Sequence, residues 1–349
     1  MTFPAPHRIV PLLALLVAIP AFGQTPPEED NFYSRSLHFT NRGIAFVYAK
    51  ENGGLERLTG LSAEQLGCLK ASCHVKSCDT CHKREADGKV SYSVEQARSG
   101  EACTRCHDAD PKVPDVHRQA GMKCMACHTS REIHGDGVAH DTYQQPGVLE
   151  TRCEKCHAGI AKTASHTVHK GKLDCGTCHV RDVPTCFNCH IESRLANKKG
   201  SSIERHGIFF LVNHDGRVGL ANFLSYVYKK GTMITLAPTS PHSITKAGRA
   251  CPACHGTQIA RDVAAGTLVL SRFSDGELKS VEGVIPVVEG MTWNLAFLDR
   301  DGDRWVPMTS PSPPLVNFSG FCTPLTRAQL ANLEKARSGT QLDAHGAPH

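Results

Sequence analysis

Residues 175–190 read CGTCHVRDVPTCFNCH, two cysteine pairs each closed by a histidine, and the same pattern fills the chain from Cys68 to His190. That stretch holds fourteen of the seventeen cysteines. Six pairs have the spacing C-x-x-C-H: Cys78/Cys81/His82, Cys103/Cys106/His107, Cys124/Cys127/His128, Cys153/Cys156/His157, Cys175/Cys178/His179 and Cys186/Cys189/His190. One is wider, Cys68/Cys73/His74, with four residues between its cysteines. After sixty residues an eighth site follows at Cys251/Cys254/His255, and Cys322 is left over.

The spacing points to covalent haem. Two thiols add across the vinyl groups of the porphyrin, and the histidine after the second cysteine supplies the proximal nitrogen to iron. Zinc also uses C-x-x-C pairs, but zinc ribbons need no histidine directly after the second cysteine, and all eight pairs here have one. Eight short spacers would also be an odd disulfide framework for so long a chain. At the wide site, Cys73 could instead pair with Cys78, but Asp79 follows Cys78 whereas His74 follows Cys73. The expectation is therefore eight c-type haems, with His74, His82, His107, His128, His157, His179, His190 and His255 as proximal ligands.

Nine further histidines lie between the leader and the C-terminal tail: His38, His117, His134, His140, His166, His169, His206, His214 and His242. Eight six-coordinate irons need eight distal ligands, so supply nearly equals demand. Ser165 to His169 places two of the histidines three residues apart, on one face of a helix, where they can ligate two haems of a packed pair. His345 and His349 sit in a Gly/Pro-containing tail.

Residues 1–23 read as a secretory signal peptide: His7 and Arg8, an apolar run from Ile9 to Ala18, then small residues at Ala21-Phe22-Gly23. The run is short for a spanning helix, a retained anchor being the alternative, and no later segment has the apolar length to cross a bilayer. Export to the periplasm or cell exterior agrees with the cofactor, because c-type haem attachment takes place outside the cytoplasmic membrane in bacteria and archaea. The formal charge of +5 is no sign of a nucleic-acid partner. Without Arg8 of the leader it is +4, and sixteen propionates, with a +1 core on each ferric haem, would turn it to roughly −4 oxidised and roughly −12 reduced, so lysines and arginines are expected to pair with propionates.

Aromatic residues make up 6% of the chain, and part of its 40% apolar fraction is cysteine. The cofactors must then supply much of the core, with irregular chain and short α-helices wrapped around haems over residues 31–195. A helix is expected over Gly43 to Ala49, then a turn at Asn52-Gly53-Gly54 and a short helix from Ser62 to Leu66.

Residues 196–320 change character and read as a small β-rich module holding the eighth haem. Strands are expected at Gly207 to Val212, Asn222 to Tyr228, Met233 to Leu236, Thr267 to Leu270, Val284 to Val288 and Trp293 to Leu298. Turn signals lie at His214-Asp215-Gly216, Ser274-Asp275-Gly276 and Arg300-Asp301-Gly302. Asp299, Asp301 and Asp303 lack the glycine and glutamate positions of an EF-hand and read as a hairpin turn. Thr326-Arg327-Ala328-Gln329 resembles a capping box opening a helix to about Ala336, within a C-terminal segment 321–340. Cys322 reads as a buried or free thiol.

Cys124 to His128, Ile133-His134-Gly135-Asp136-Gly137, Ser165 to His169, Cys175 to His179 and Cys186 to His190 together resemble the multihaem c-type cytochromes, specifically octahaem members. The resemblance covers about residues 68–255. It implies electron transfer with other redox proteins or extracellular acceptors, in a chain that in some members polymerises into filaments. Another octahaem group reduces or oxidises nitrite, hydroxylamine or tetrathionate at a haem with an open position or a lysine ligand. No C-x-x-C-K motif is present, and Lys70 and Lys76 flank the first sites. An electron carrier with mostly bis-histidine haems is the favoured expectation, and an enzyme or a filament subunit the alternatives. For a filament, His38 is the candidate ligand donated to a neighbouring copy.

Overall fold

The computed structural model describes residues 32–67, 75–107, 113–160, 162–196 and 201–337. The expected signal peptide, the site Cys68/Cys73/His74, Lys70, His345 and His349 lie outside them. Among the described residues no helix is long and apolar enough to cross a membrane.

Two kinds of structure meet in this chain. Through residues 75–173 the helices have four to six residues, too short to persist alone. Among the described residues there, the only strands are β1 (Lys83–Ala86) and β2 (Lys89–Tyr92), an exposed antiparallel hairpin. Among the described residues of that span only Ala102 and Val148 are buried apolar side chains. Among the described residues, seven of the ten large exposed hydrophobics, from Val90 to Val168, fall there too. A segment with so little side-chain core needs another source of apolar surface to hold it folded.

The second part is a seven-stranded mixed sheet with an ordinary core. Its strands are β3 (Thr185–His190), β4 (Ile203–Arg205), β5 (Ile208–His214), β6 (Arg217–Tyr228) and β7 (Gly231–Pro238), followed later in the chain by two more. Between them comes the hairpin β8 (Ser271–Ser274) and β9 (Glu277–Ser280); β10 (Gly283–Pro286) then joins the sheet. After the hairpin β11 (Leu298–Asp301) and β12 (Arg304–Pro307), β13 (Leu315–Phe318) completes it.

The path runs β10-β5-β6-β3-β4, with β7 between β6 and β13. Long β6 organises it: residues 217–221 pair antiparallel with β5, residues 224–227 parallel with β3, and residues 221–228 antiparallel with β7. Asp215 and Gly216, both at positive φ, turn β5 back into β6, the left-handed geometry that the Asp-Gly signal favours. Phe187, Phe210, Phe223, Ile208, Leu236 and Ile285 are sealed inside, and the Phe210 and Phe223 rings stack 4.6 Å apart.

Several expectations shift. The helix expected at Gly43 to Ala49 is Arg42–Tyr48, but Ser62 to Leu66 forms turns. Thr267 to Leu270 and most of Trp293 to Leu298 are not strands: Leu268, Leu270, Leu295 and Phe297 pack into the core from irregular chain, since burial and not backbone pairing set their apolar character. The sheet also starts at Thr185, ahead of the expected boundary at 196, because Phe187 belongs to its core. The capping box at Thr326 is complete and opens Arg327–Glu334. Cys322 is 4% exposed beneath it, and burial pushes its thiol pKa up to about 12.

Candidate functional site

Six motifs fold alike. In each, the histidine N–H donates to the carbonyl of the first cysteine at 2.9–3.0 Å: His82 to Cys78, His107 to Cys103, His128 to Cys124, His157 to Cys153, His179 to Cys175 and His255 to Cys251. One helical turn therefore carries both thiols and the imidazole. Cys78, Cys106, Cys127, Cys153 and Cys156 are exposed, against the usual habit of cysteine.

Each of these six imidazoles faces one non-motif histidine, and no histidine is used twice. The pairs are His82 with His134, His107 with His38, His128 with His242, His157 with His117, His179 with His166, and His255 with His169. Ring centroids stand 6.0–6.2 Å apart in every pair. Two metal–nitrogen bonds of about 2 Å, with ring centres roughly 1 Å behind each nitrogen, give ~6 Å. The residues thus fit a haem iron between each pair.

Local capping builds the facing set. Ser36 caps the helix carrying His38, Asp115 that carrying His117, Thr129 that carrying His134, and Thr163 that carrying both His166 and His169. Asp115, 4% exposed, does more. Its Oδ1 accepts from His117 N–H and Arg118 N–H, and its Oδ2 from Ile244 N–H at 2.8 Å. One carboxylate so fixes the backbone beside His117 and beside His242. Burial alone would raise its pKa, but these three N–H donors outweigh it and hold the carboxyl below its ordinary value.

Ring orientation is fixed from Nδ1. That atom lies 2.9–3.2 Å from a backbone carbonyl in His82, His134, His169, His179 and His255, and 2.8 Å from Glu132 Oε2 in His128. In His38 it meets the Tyr143 hydroxyl, which itself donates to Glu132 O. An acceptor on Nδ1 demands Nδ1–H, which leaves the Nε2 lone pair for metal.

The sites also follow one another. The thiols of Cys103 and Cys124 touch, as do those of Cys153 and Cys175. Cys81 lies within electrostatic reach of Cys106, Cys127 of Cys156, and Cys178 of Cys251. The six form a file in chain order, 78, 103, 124, 153, 175, 251.

Three of the nine candidate histidines are not brought opposite a motif histidine of the described residues. His140 Nε2 is 3.2 Å from Asp136, His214 Nε2 is 2.7 Å from Gln144 O, and exposed His206 has Nδ1 2.8 Å from Asp182. Each spends a ring nitrogen on a protein acceptor, which histidine count alone could not reveal. His38 faces His107 of its own chain and not a neighbour. The positioning carboxylates Asp115 and Glu132 were missed from sequence, although an Asp two residues before His117 and a Glu four after His128 were visible there.

His190 stands apart. The residue is 5% exposed, with Nε2 2.9 Å from Asp299 Oδ1 and Trp305 as its aromatic neighbour at 6.5 Å. Comparison with family models, characterised proteins and solved structures finds no match.

Proposed function

We propose that the chain is an exported electron-transfer protein that relays electrons through a file of covalently bound, bis-histidine c-type haems. The observation that carries this reading is the six one-to-one histidine pairs at a common spacing of 6.0–6.2 Å, each joining a C-x-x-C-H histidine to a capped or anchored partner. The scarcity of buried side chains over residues 75–173 supports it independently. When bound, haem supplies a reversible one-electron couple. The polypeptide supplies the two axial nitrogens, holds the tautomers of seven of the twelve paired rings through Nδ1, and keeps successive cofactors close enough for transfer without dissociable substrate.

Low-temperature EPR of the oxidised holoprotein, with carbon monoxide binding after reduction, tests the reading. Low-spin signals from the six paired irons and no gas binding at them are expected. High-spin iron at these six sites, or a holoprotein without haem, would sink it.

A further inference from the structure

We infer that one C-x-x-C-H sequence, Cys186 to His190, carries no haem and works as a strand of the sheet. The inference rests on the haem reading of the other motifs and separates this one from them by four observations.

The first is the backbone. Where six motifs close a turn from the histidine N–H to the first cysteine carbonyl, His190 N–H donates to Ser201 O. Cys186, Phe187 and their neighbours lie extended, Cys186 paired to Leu224 on one side and Glu204 on the other. A bulge follows, with Asn188 at φ 55°. That asparagine is fully buried and pinned at three points: its N–H to Ser225 Oγ, its amide nitrogen to Ala296 O, and its amide oxygen to Leu298 N–H. Rebuilding this segment as a helical turn would break the sheet and strand those polar groups.

The second is the tautomer. Ser193 N–H can only donate, and it points to His190 Nδ1 at 3.2 Å. Nδ1 is therefore the acceptor, the proton sits on Nε2, and Nε2–H donates to Asp299. The other motif histidines with an anchored Nδ1 have the opposite arrangement, so the nitrogen they keep for iron is the one His190 commits to a carboxylate.

The third is the partner: His190 faces Trp305, and none of the described histidines lies opposite it. The fourth is position. The file of sites steps from Cys178 to Cys251 and Cys254, whereas Cys186 has Glu204 and Ser202 beside it, and Cys189 is buried in a cluster with Leu55, Ile191 and Met233.

Peptide mapping of the holoprotein, produced with c-type haem maturation, decides the matter. Trypsin cuts at Arg181 and Arg194, so the peptide 182–194 carries Cys186 and Cys189 apart from the neighbouring motif. It is expected without haem mass, while peptides bearing the six turn-forming motifs carry one haem per motif. A double substitution, Cys186→Ser with Cys189→Ser, is expected to leave the haem-to-protein ratio of the purified protein unchanged. A haem on peptide 182–194, or loss of one haem in the double variant, overturns the inference and leaves the electron-transfer reading standing. Haem on none of the peptides sinks that reading, and with it the contrast on which the inference stands.

Discussion

Glu132 Oε2 lies 2.8 Å from His128 Nδ1, and the same carboxylate, 4% exposed, accepts from the backbone N–H groups of Thr129, Glu150 and Thr151. Burial opposes its ionisation, yet the His128 contact and the N–H donors hold its pKa below the ordinary carboxylate value. An ionised acceptor on Nδ1 makes the imidazole a stronger donor to iron and favours the ferric state. Glu132→Gln is therefore expected to raise the potential of one haem, seen in a spectroelectrochemical titration as one component moving while the rest stay. Glu132→Ala also leaves buried donors unpaired, at a cost of about 1–3 kcal/mol per group, read as a fall in Tm.

The one-to-one pairing makes the distal ligands separable. His242→Ala, His166→Ala or His134→Ala should each convert one haem to high spin and admit one equivalent of carbon monoxide after reduction. His206→Ala and His214→Ala should convert none, because their rings face Asp182 and Gln144. Gas titration against haem content checks both groups, and an equal response from them would refute the pairing.

Asp115 couples two of these sites. Removing its carboxylate takes the N-cap from the helix of His117 and the acceptor from Ile244 N–H, two residues beyond His242. The cap alone contributes about 1 kcal/mol. Asp115→Ala is expected to loosen two haems together, those of His157 and His128, so partial carbon monoxide binding should approach two equivalents where a single distal substitution gives one. An effect confined to one haem would contradict the shared anchor.

The C-x-x-C-H motifs and the number of histidines were legible because both are local or compositional: the motif lies within five residues, and histidines can be counted. Which histidine meets which was not legible, since His128 and His242 are brought together by a loop that Asp115 holds. The β strands near Phe210 and Tyr226 followed from β-branched and aromatic runs. Leu268 and Phe297 misled, being apolar for burial alone. Most instructive is Cys186 to His190, where a motif that reads like its neighbours lies in the sheet: Phe187 and Asn188 are sealed inside, and only the pairing with β4 and β6 reveals it.

Arg249 joins the sheet to the chain that carries the C-x-x-C-H turns. Its guanidinium lies 3.6 Å from the Phe209 ring centroid and donates to Thr177 O and Val180 O, both at 2.6 Å, on either side of His179. Charge-assisted hydrogen bonds contribute about 1.5–3 kcal/mol and a cation over an aromatic face about 0.5–1 kcal/mol or more, so Arg249→Ala should cost roughly 3 kcal/mol. Phe223→Ala, in the buried stack with Phe210 and Phe187, should cost a similar about 3–5 kcal/mol. Their spectra should differ. Arg249 steadies the turn that presents His179, so its loss should broaden the low-spin signal of that haem, whereas Phe223→Ala should lower Tm and leave axial ligation unchanged. Lysine cannot restore Arg249, because one ammonium cannot span two carbonyls and stack flat on the ring; full recovery in Arg249→Lys would show that charge alone suffices there.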